Sequence, residues 1–147
     1  MLIKKDKDIN KLILNLSLIN KPLKQFDSLV IQFLTELHTQ IDMLSKKIHL
    51  EDLISFNFWL RPKNINSLKL KYQNDYTKIG YGIAFHITPS NMPINFIYSY
   101  IFGLLAGNIN IIRVPSKNYI QIDLLMEALN KVLSKKKFKK IKNMSNF

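Results

Sequence analysis

Residues 81–116 read YGIAFHITPSNMPINFIYSYIFGLLAGNINIIRVPS, and this stretch decides the fold class of the chain. The run 83–87 is rich in β-forming residues and ends at a turn that contains two prolines. The apolar segment 94–106 has the length of a helix and stops at Gly107, and a second β-like run, 109–114, stops at Pro115. Strand, turn, helix and strand in this order predict one βαβ unit.

Two amphipathic segments flank this unit. Upstream, apolar residues from Phe26 to Ile48 recur at helical spacing, which predicts a long helix with Asp27 or Ser28 as its N-cap. Downstream, residues 118–134 show the same spacing and predict the helix that follows the second strand. The predicted class is therefore α/β, with a helical N-terminal lead-in followed by a partial doubly wound, Rossmann-like βαβα unit.

The sequence divides into four predicted parts. Residues 1–25 are predicted to form an N-terminal arm, and residues 26–80 a mainly helical lead-in. Residues 81–134 form the partial cofactor-binding unit. Residues 135–147 are rich in lysine, lack acidic residues and show little periodicity, so this basic tail is predicted to fray.

The composition excludes several kinds of functional site. The 147 residues contain no cysteine, which excludes disulfides, thiolate metal sites and a cysteine nucleophile within this sequence, and no metal site is predicted. The N-terminus lacks the pattern of a secretory signal, and the apolar window 94–106 is shorter than a bilayer span. These features predict a cytoplasmic protein without a membrane span.

The formal net charge is +12, and the lysines concentrate at the two ends of the chain. Proteins that bind nucleic acid more often interleave basic and aromatic residues on one face. We therefore interpret the lysines as a solvated basic surface and predict no nucleic-acid partner. The alternative is a stand-alone basic half-Rossmann module that binds nucleic acid or acidic partners.

Ligands of doubly wound sheets bind at the carboxyl ends of the strands, which directs attention to the turns 88–93 and 115–117. Neither the Gly-x-Gly-x-x-Gly nor the Walker pattern of phosphate loops is present. The carboxamide of Asn91 could donate a hydrogen bond to an oxyanion, or could simply bond to its own turn. Arg113 and Ser116 could grip a phosphate, or Arg113 could be a solvated residue at a strand end.

The stretch FHITPSNMPINFIYSYIFGLLAGNINIIRVPSK resembles the acyl-CoA reductase family that includes the fatty-acid reductase of bacterial bioluminescence, a branch of the aldehyde dehydrogenase superfamily. The upstream segment SFNFWLRPKNINSLKLKY resembles the N-terminal region of that family, so the resemblance covers residues 26–133. The glutamyl-phosphate reductase branch shares the Gly-Asn and strand pattern, but fits the Pro-Ser-Asn turn less well.

This resemblance implies the reduction of an acyl-CoA or acyl-protein thioester to a fatty aldehyde by NADPH, through an acyl-enzyme on a cysteine. Asn91 matches the asparagine that faces the thioester oxyanion in the superfamily. Arg113 lies where aldehyde dehydrogenases carry a lysine near the adenine ribose, which would suit a 2′-phosphate, and Ser116 lies in the same turn. The residues that would line the nicotinamide side of the cleft are Ile87, Thr88 and Pro89.

The sequence departs from the resemblance because it is several times shorter than the chains of that family and lacks the nucleophilic cysteine. The family carries that cysteine in a downstream catalytic domain. The expectation is therefore an N-terminal part of such a reductase, inactive alone, whose partners would be a completing polypeptide or further copies of itself in a homo-oligomer. Half of a doubly wound sheet is also expected to leave an unpaired edge and an uncovered apolar face.

Overall fold

The computed structural model describes residues 21–46, 48–73 and 75–147, so most of the predicted N-terminal arm lies outside the described residues. Three helices precede the sheet: α1 (Ser28–Ser45), α2 (Glu51–Trp59) and α3 (Pro62–Tyr72). The predicted βαβα order is confirmed by β1 (Ile83–Ile87), α4 (Asn95–Leu105), β2 (Ile109–Arg113) and α5 (Ile120–Leu133). A 3-10 turn (Lys136–Phe138), helix α6 (Lys139–Asn143) and strand β3 (Ser145–Asn146) follow.

The three strands form one parallel sheet in the order β1-β2-β3. β1 and β2 pair in register from Ile83 opposite Ile109 to Ile87 opposite Arg113. Helix α4 packs on both strands and forms the crossover between them. The architecture is thus α/β with a small parallel sheet, as the sequence predicts.

The two faces of β1 differ in what covers them. Ala84 and His86 share one face because side chains alternate along a strand, and His86 bonds to Ser99 on α4. Phe85 and Ile87 lie on the opposite face, where 60% and 67% of their surface is exposed. The outer edge of β1 has no strand partner among the residues that the structure describes. The expected open edge and open apolar face are therefore both present at β1.

Helix α1 is the centre of the helical layer and packs against each of the other five helices of the described chain. Asp27 is its N-cap, and the Asp27 carboxylate accepts a hydrogen bond from the backbone N–H of Leu29 at 2.9 Å. The buried stripe of α1 follows the predicted helical spacing and consists of Val30, Phe33, Leu34, Leu37 and Ile41.

The aromatic segment of α2 joins the lead-in to the sheet unit. Phe56 is fully buried, and the rings of Phe56 and Trp59 lie 4.9 and 5.1 Å from the ring of Tyr98 on α4. Burial raises the pKa of Tyr98. Phe56 and Trp59 therefore anchor α2 against α4. His38 on α1 is half-buried, with Nδ1 2.8 Å from Oδ1 of Asn57 on α2.

The prediction that residues 135–147 fray is wrong, because this tail is ordered in the structure. Phe138, Ile141 and Met144 recur every three residues and are fully buried, while the lysines between them face solvent. The backbone N–H of Asn110 donates to the carbonyl of Met144 at 2.7 Å, and β3 pairs with β2. Apolar burial and strand pairing therefore outweigh the repulsion between lysines.

Two polar contacts support the ordered tail. Hydrogen bonds from Lys135, at 2.6 Å, and from Lys137 hold the pKa of the Glu36 carboxyl on α1 below its usual range. The stability that these two lysine contacts give the folded state is therefore present at neutral pH, and it is lost as the pH falls through the lowered pKa of Glu36. Ser145 donates to the carbonyl of Ile141, so the buried hydroxyl of Tyr100 donates to Ser145 at 2.7 Å.

The ordered tail predicts a large cost for Phe138→Ala. The Phe138 ring is fully buried and meets Phe33 edge-on at 5.5 Å, so its truncation should lower the free energy of unfolding by about 3–5 kcal/mol. Phe85→Ala, at an exposed position, is the matched control and should cost less than about 1 kcal/mol. Urea unfolding measures both, and equal costs would show that the tail is not part of the core.

Candidate functional site

The parallel register brings the two predicted ligand turns to one edge of the sheet. Ile87 ends β1 directly opposite Arg113 at the end of β2, so both chains leave the sheet at its carboxyl edge. The structure therefore places every residue predicted for the site at or just beyond this edge: Ile87, Thr88, Pro89, Asn91, Arg113 and Ser116. We call this region the carboxyl-edge site.

Asn91 lies in the turn between β1 and α4 and is exposed. Its carboxamide forms no hydrogen bond with any described residue. The alternative in which Asn91 bonds to its own turn is therefore not the arrangement that the structure shows. Both N–H groups of the side chain are free to donate to a ligand.

Arg113 supplies the charge of the carboxyl-edge site. Its side chain is exposed, and within the described part of the chain the guanidinium forms no ion pair. Ser116, three residues further along, is exposed as well. An unpaired guanidinium presents a planar fork of donors that suits a phosphate or a carboxylate.

Thr88 carries an orphaned polar atom in the same region. Its hydroxyl oxygen is buried, and no hydrogen-bond partner for it exists among the described residues. Leaving a buried hydroxyl unsatisfied costs about 1–3 kcal/mol, so such groups in native proteins usually mark a missing partner. A polar group of a bound ligand at this edge would satisfy the hydroxyl.

Helix α4 begins close to the carboxyl-edge site. Its N-cap residue, Ile94, makes no side-chain hydrogen bond, and the first turn contains no acidic residue. The positive end of the helix dipole is thus uncompensated by a side chain, which favours negative charge nearby. The positive end of α4 and the positive charge of Arg113 therefore both favour an anion at the carboxyl-edge site.

A polar network around the buried Asn110, beneath the site, fixes the position of β1 against β2 and α4. Nε2 of His86 lies 2.9 Å from Oδ1 of Asn110, and Nδ1 lies 2.7 Å from the hydroxyl of Ser99. The amide nitrogen of Asn110 already donates to the carbonyl of Asn108 at 2.8 Å. Oδ1 can only accept, so Nε2 donates to it and Nδ1 accepts from Ser99.

Sequence reasoning missed this network. Asn110 is fully buried; His86 is the polar member of β1, IAFHI, and Asn110 is the polar member of β2, INIIR, apart from Arg113 at its exposed end. Two features could have indicated the network: a polar residue on the helix-facing side of each strand, and a serine on the helix between the strands. The pairing itself depends on the register, which a single sequence does not state.

The network predicts that Gly103 cannot be replaced by alanine without cost. A Cβ atom at Gly103 would lie 1.9 Å from Oδ1 of Asn110 and 3.0 Å from Nε2 of His86. We expect Gly103→Ala to lower the free energy of unfolding by about 1–3 kcal/mol, although alanine is the better helix former.

Asn66→Ala, on the exposed surface of α3, is the control for helix propensity and should change the free energy by less than about 0.5 kcal/mol. The double variant Gly103→Ala/Asn110→Ala should cost less than the sum of its parts, because the small residue removes the clash. A neutral or stabilising Gly103→Ala in urea unfolding would contradict the packing described here.

The described residues contain neither a cluster of metal ligands nor a helix suited to a membrane span. No group of three or more histidine, aspartate or glutamate side chains there is arranged to hold a metal ion. No described helix combines the length and apolar character that crossing a membrane requires.

Comparison with known proteins gives a family assignment. Neither the curated proteins nor the solved structures include a significant match to this chain. The family model described as "Acyl-CoA reductase (LuxC)" matches residues 9–141, which include the lead-in, the sheet unit and most of the ordered tail. The match spans most of the 147 residues. The chain therefore belongs to the LuxC acyl-CoA reductase family.

Proposed function

We propose that the chain forms the nicotinamide-cofactor part of an acyl-thioester reductase that produces a fatty aldehyde, with a fold of the aldehyde dehydrogenase type. The observation that supports this most is the family match over residues 9–141, combined with the convergence of both predicted ligand turns at one sheet edge. The substrate in this proposal is an acyl-CoA or an acyl-protein thioester.

NADPH is the proposed cofactor, and when bound it supplies the hydride that reduces the acyl group. Two observations fit such a ligand: the unsatisfied buried hydroxyl of Thr88 and the unpaired guanidinium of Arg113. In the proposal Arg113 and Ser116 hold the 2′-phosphate, since arginine binds phosphate through two parallel hydrogen bonds. Ile87, Thr88 and Pro89 line the nicotinamide side.

Asn91 is the proposed oxyanion donor. The free N–H groups of its carboxamide would stabilise the negative charge that develops on the thioester oxygen, and donors of this kind contribute about 3 kcal/mol to the transition state. The turn between β1 and α4 holds the residue, with Pro89 and Pro93 on either side. The uncapped N-terminus of α4 is the positive end of the helix dipole and would also stabilise this negative charge.

The proposed reaction needs a thiolate that these 147 residues do not contain. Acyl transfer to an enzyme thiol and release of the aldehyde both depend on it, so we propose that the chain is inactive alone. The thiol would come from a completing polypeptide, because further copies of a chain without cysteine cannot supply it. The exposed Phe85 and Ile87 on the open sheet face support this proposal, because parallel sheets are normally covered on both faces.

The assignment of Arg113 predicts discrimination between the two nicotinamide cofactors. Arg113→Ala should weaken NADPH binding about tenfold or more and change NADH binding by less than about twofold, because only NADPH carries the 2′-phosphate. Isothermal titration calorimetry on the purified chain measures both affinities.

Lys131→Ala, which removes one exposed positive charge on α5, is the matched control and should leave both affinities unchanged. Equal loss of NADPH and NADH binding in Arg113→Ala would contradict the phosphate role. The alternative of a basic nucleic-acid module predicts instead an affinity for oligonucleotides that falls steeply and log-linearly with salt. Thioester reduction by the chain alone would contradict the proposal that a thiol is supplied from outside.

A further inference from the structure

A cavity that is open to solvent lies on the amino side of the sheet, away from the carboxyl-edge site. Its volume is about 180 Å³, and its wall combines the segment before α1 with the end of α3 and the approach to β1. Lys24 pairs with Ile79 in an antiparallel bridge, and the backbone N–H of Gln25 donates to the carbonyl of Lys78 at 2.9 Å. These bonds make the cavity a fixed part of the fold.

The cavity wall is positively charged. Lys24, Lys69 and Lys78 line it, and among the described residues no carboxylate does. Neither Lys24 nor Lys69 forms an ion pair within the described part of the chain. Asp27 and Asp75 adjoin lining residues in the sequence but do not line the cavity themselves, so the charges on its wall are positive and favour an anion.

An aromatic surface borders the lysines. The rings of Phe26 and Tyr72 stack with centroids 6.2 Å apart and planes 25° from parallel. Phe26 is half-buried, whereas 55% of the surface of Tyr72 is exposed. The outer ring can therefore stack against a planar group of a ligand whose charged part enters the cavity.

The backbone at Phe26 is strained. Its φ is +52°, the left-handed region, which is unfavourable for a residue with a Cβ atom. The backbone N–H of Phe26 donates to the carbonyl of Leu105 at 2.8 Å, which holds the residue in this conformation. Strain of this kind clusters at binding sites, where it fixes the position of a side chain.

We propose that this cavity binds a diphosphate group, as a second ligand site distinct from the proposed cofactor site and independent of the proposed function. The ammonium groups of Lys24 and Lys69 contact the phosphate oxygens, and Tyr72 presents its exposed ring to the base of a nucleoside diphosphate. Inorganic pyrophosphate has the same phosphate groups but no base. A comparison of a nucleoside diphosphate with pyrophosphate therefore shows whether the site binds a nucleotide or a free diphosphate.

The test is calorimetric titration of the purified chain with ADP and with pyrophosphate at low ionic strength. Lys24→Gln/Lys69→Gln should weaken both ligands by at least about tenfold, since two charges adjacent to the phosphates are lost. The control Lys63→Gln/Lys131→Gln removes two exposed charges elsewhere and should change neither affinity by more than about twofold. All four lysines are exposed, and unchanged thermal midpoints verify that the variants fold.

Arg113→Ala separates this site from the carboxyl-edge site and should leave pyrophosphate binding unchanged. Tyr72→Ala should weaken ADP and spare pyrophosphate if a nucleotide is the ligand, and should spare both if a free diphosphate is. The proposal is overturned if neither ligand binds the wild-type chain, if Lys24→Gln/Lys69→Gln binds as wild type does, or if the control pair weakens binding equally. NADPH binding is not part of this test, so its failure leaves the proposed function untouched.

Discussion

The parallel pairing of β1 with β2 is the constraint on which the candidate site depends. Placing Ile87 opposite Arg113 sends two turns, distant in sequence, out of the same edge of the sheet. One turn contributes an unpaired carboxamide at Asn91 and the other an unpaired guanidinium. A shift of one residue would reverse the faces of β1, exposing His86 and burying Phe85, so the register sets the chemistry of the edge as well as its geometry.

That register is stabilised by a specific polar contact as well as by apolar burial. His86 bonds across to the buried Asn110 on β2 and to Ser99 on α4, so one side chain ties both strands to their crossover helix. The absence of a side chain at Gly103 leaves room for this contact. A buried network of this kind specifies one arrangement, because any alternative pairing would leave its members unsatisfied.

The order of elements, the α1 stripe and the position of the turns 88–93 and 115–117 after the two strands could be predicted from the sequence, because each depends on local spacing or on turn residues. The ordered tail could not be predicted, because burial of Phe138, Ile141 and Met144 depends on distant parts of the chain. β3 pairs with the edge of β2, and Phe138 packs against Phe33. The network of His86 likewise depends on register. The cavity bordered by Lys24 and Lys69 joins residues separated by two helices, and no motif marks it.

The central claim is that the turn after β1 and the end of β2 form one cofactor site in a member of the LuxC acyl-CoA reductase family. The most direct measurement is nuclear magnetic resonance of the labelled chain during NADPH titration. The account predicts that the largest amide shifts fall together in residues 87–95 and 113–118, with one shared affinity. Shifts confined to other parts of the chain, or different affinities for the two turns, would contradict it.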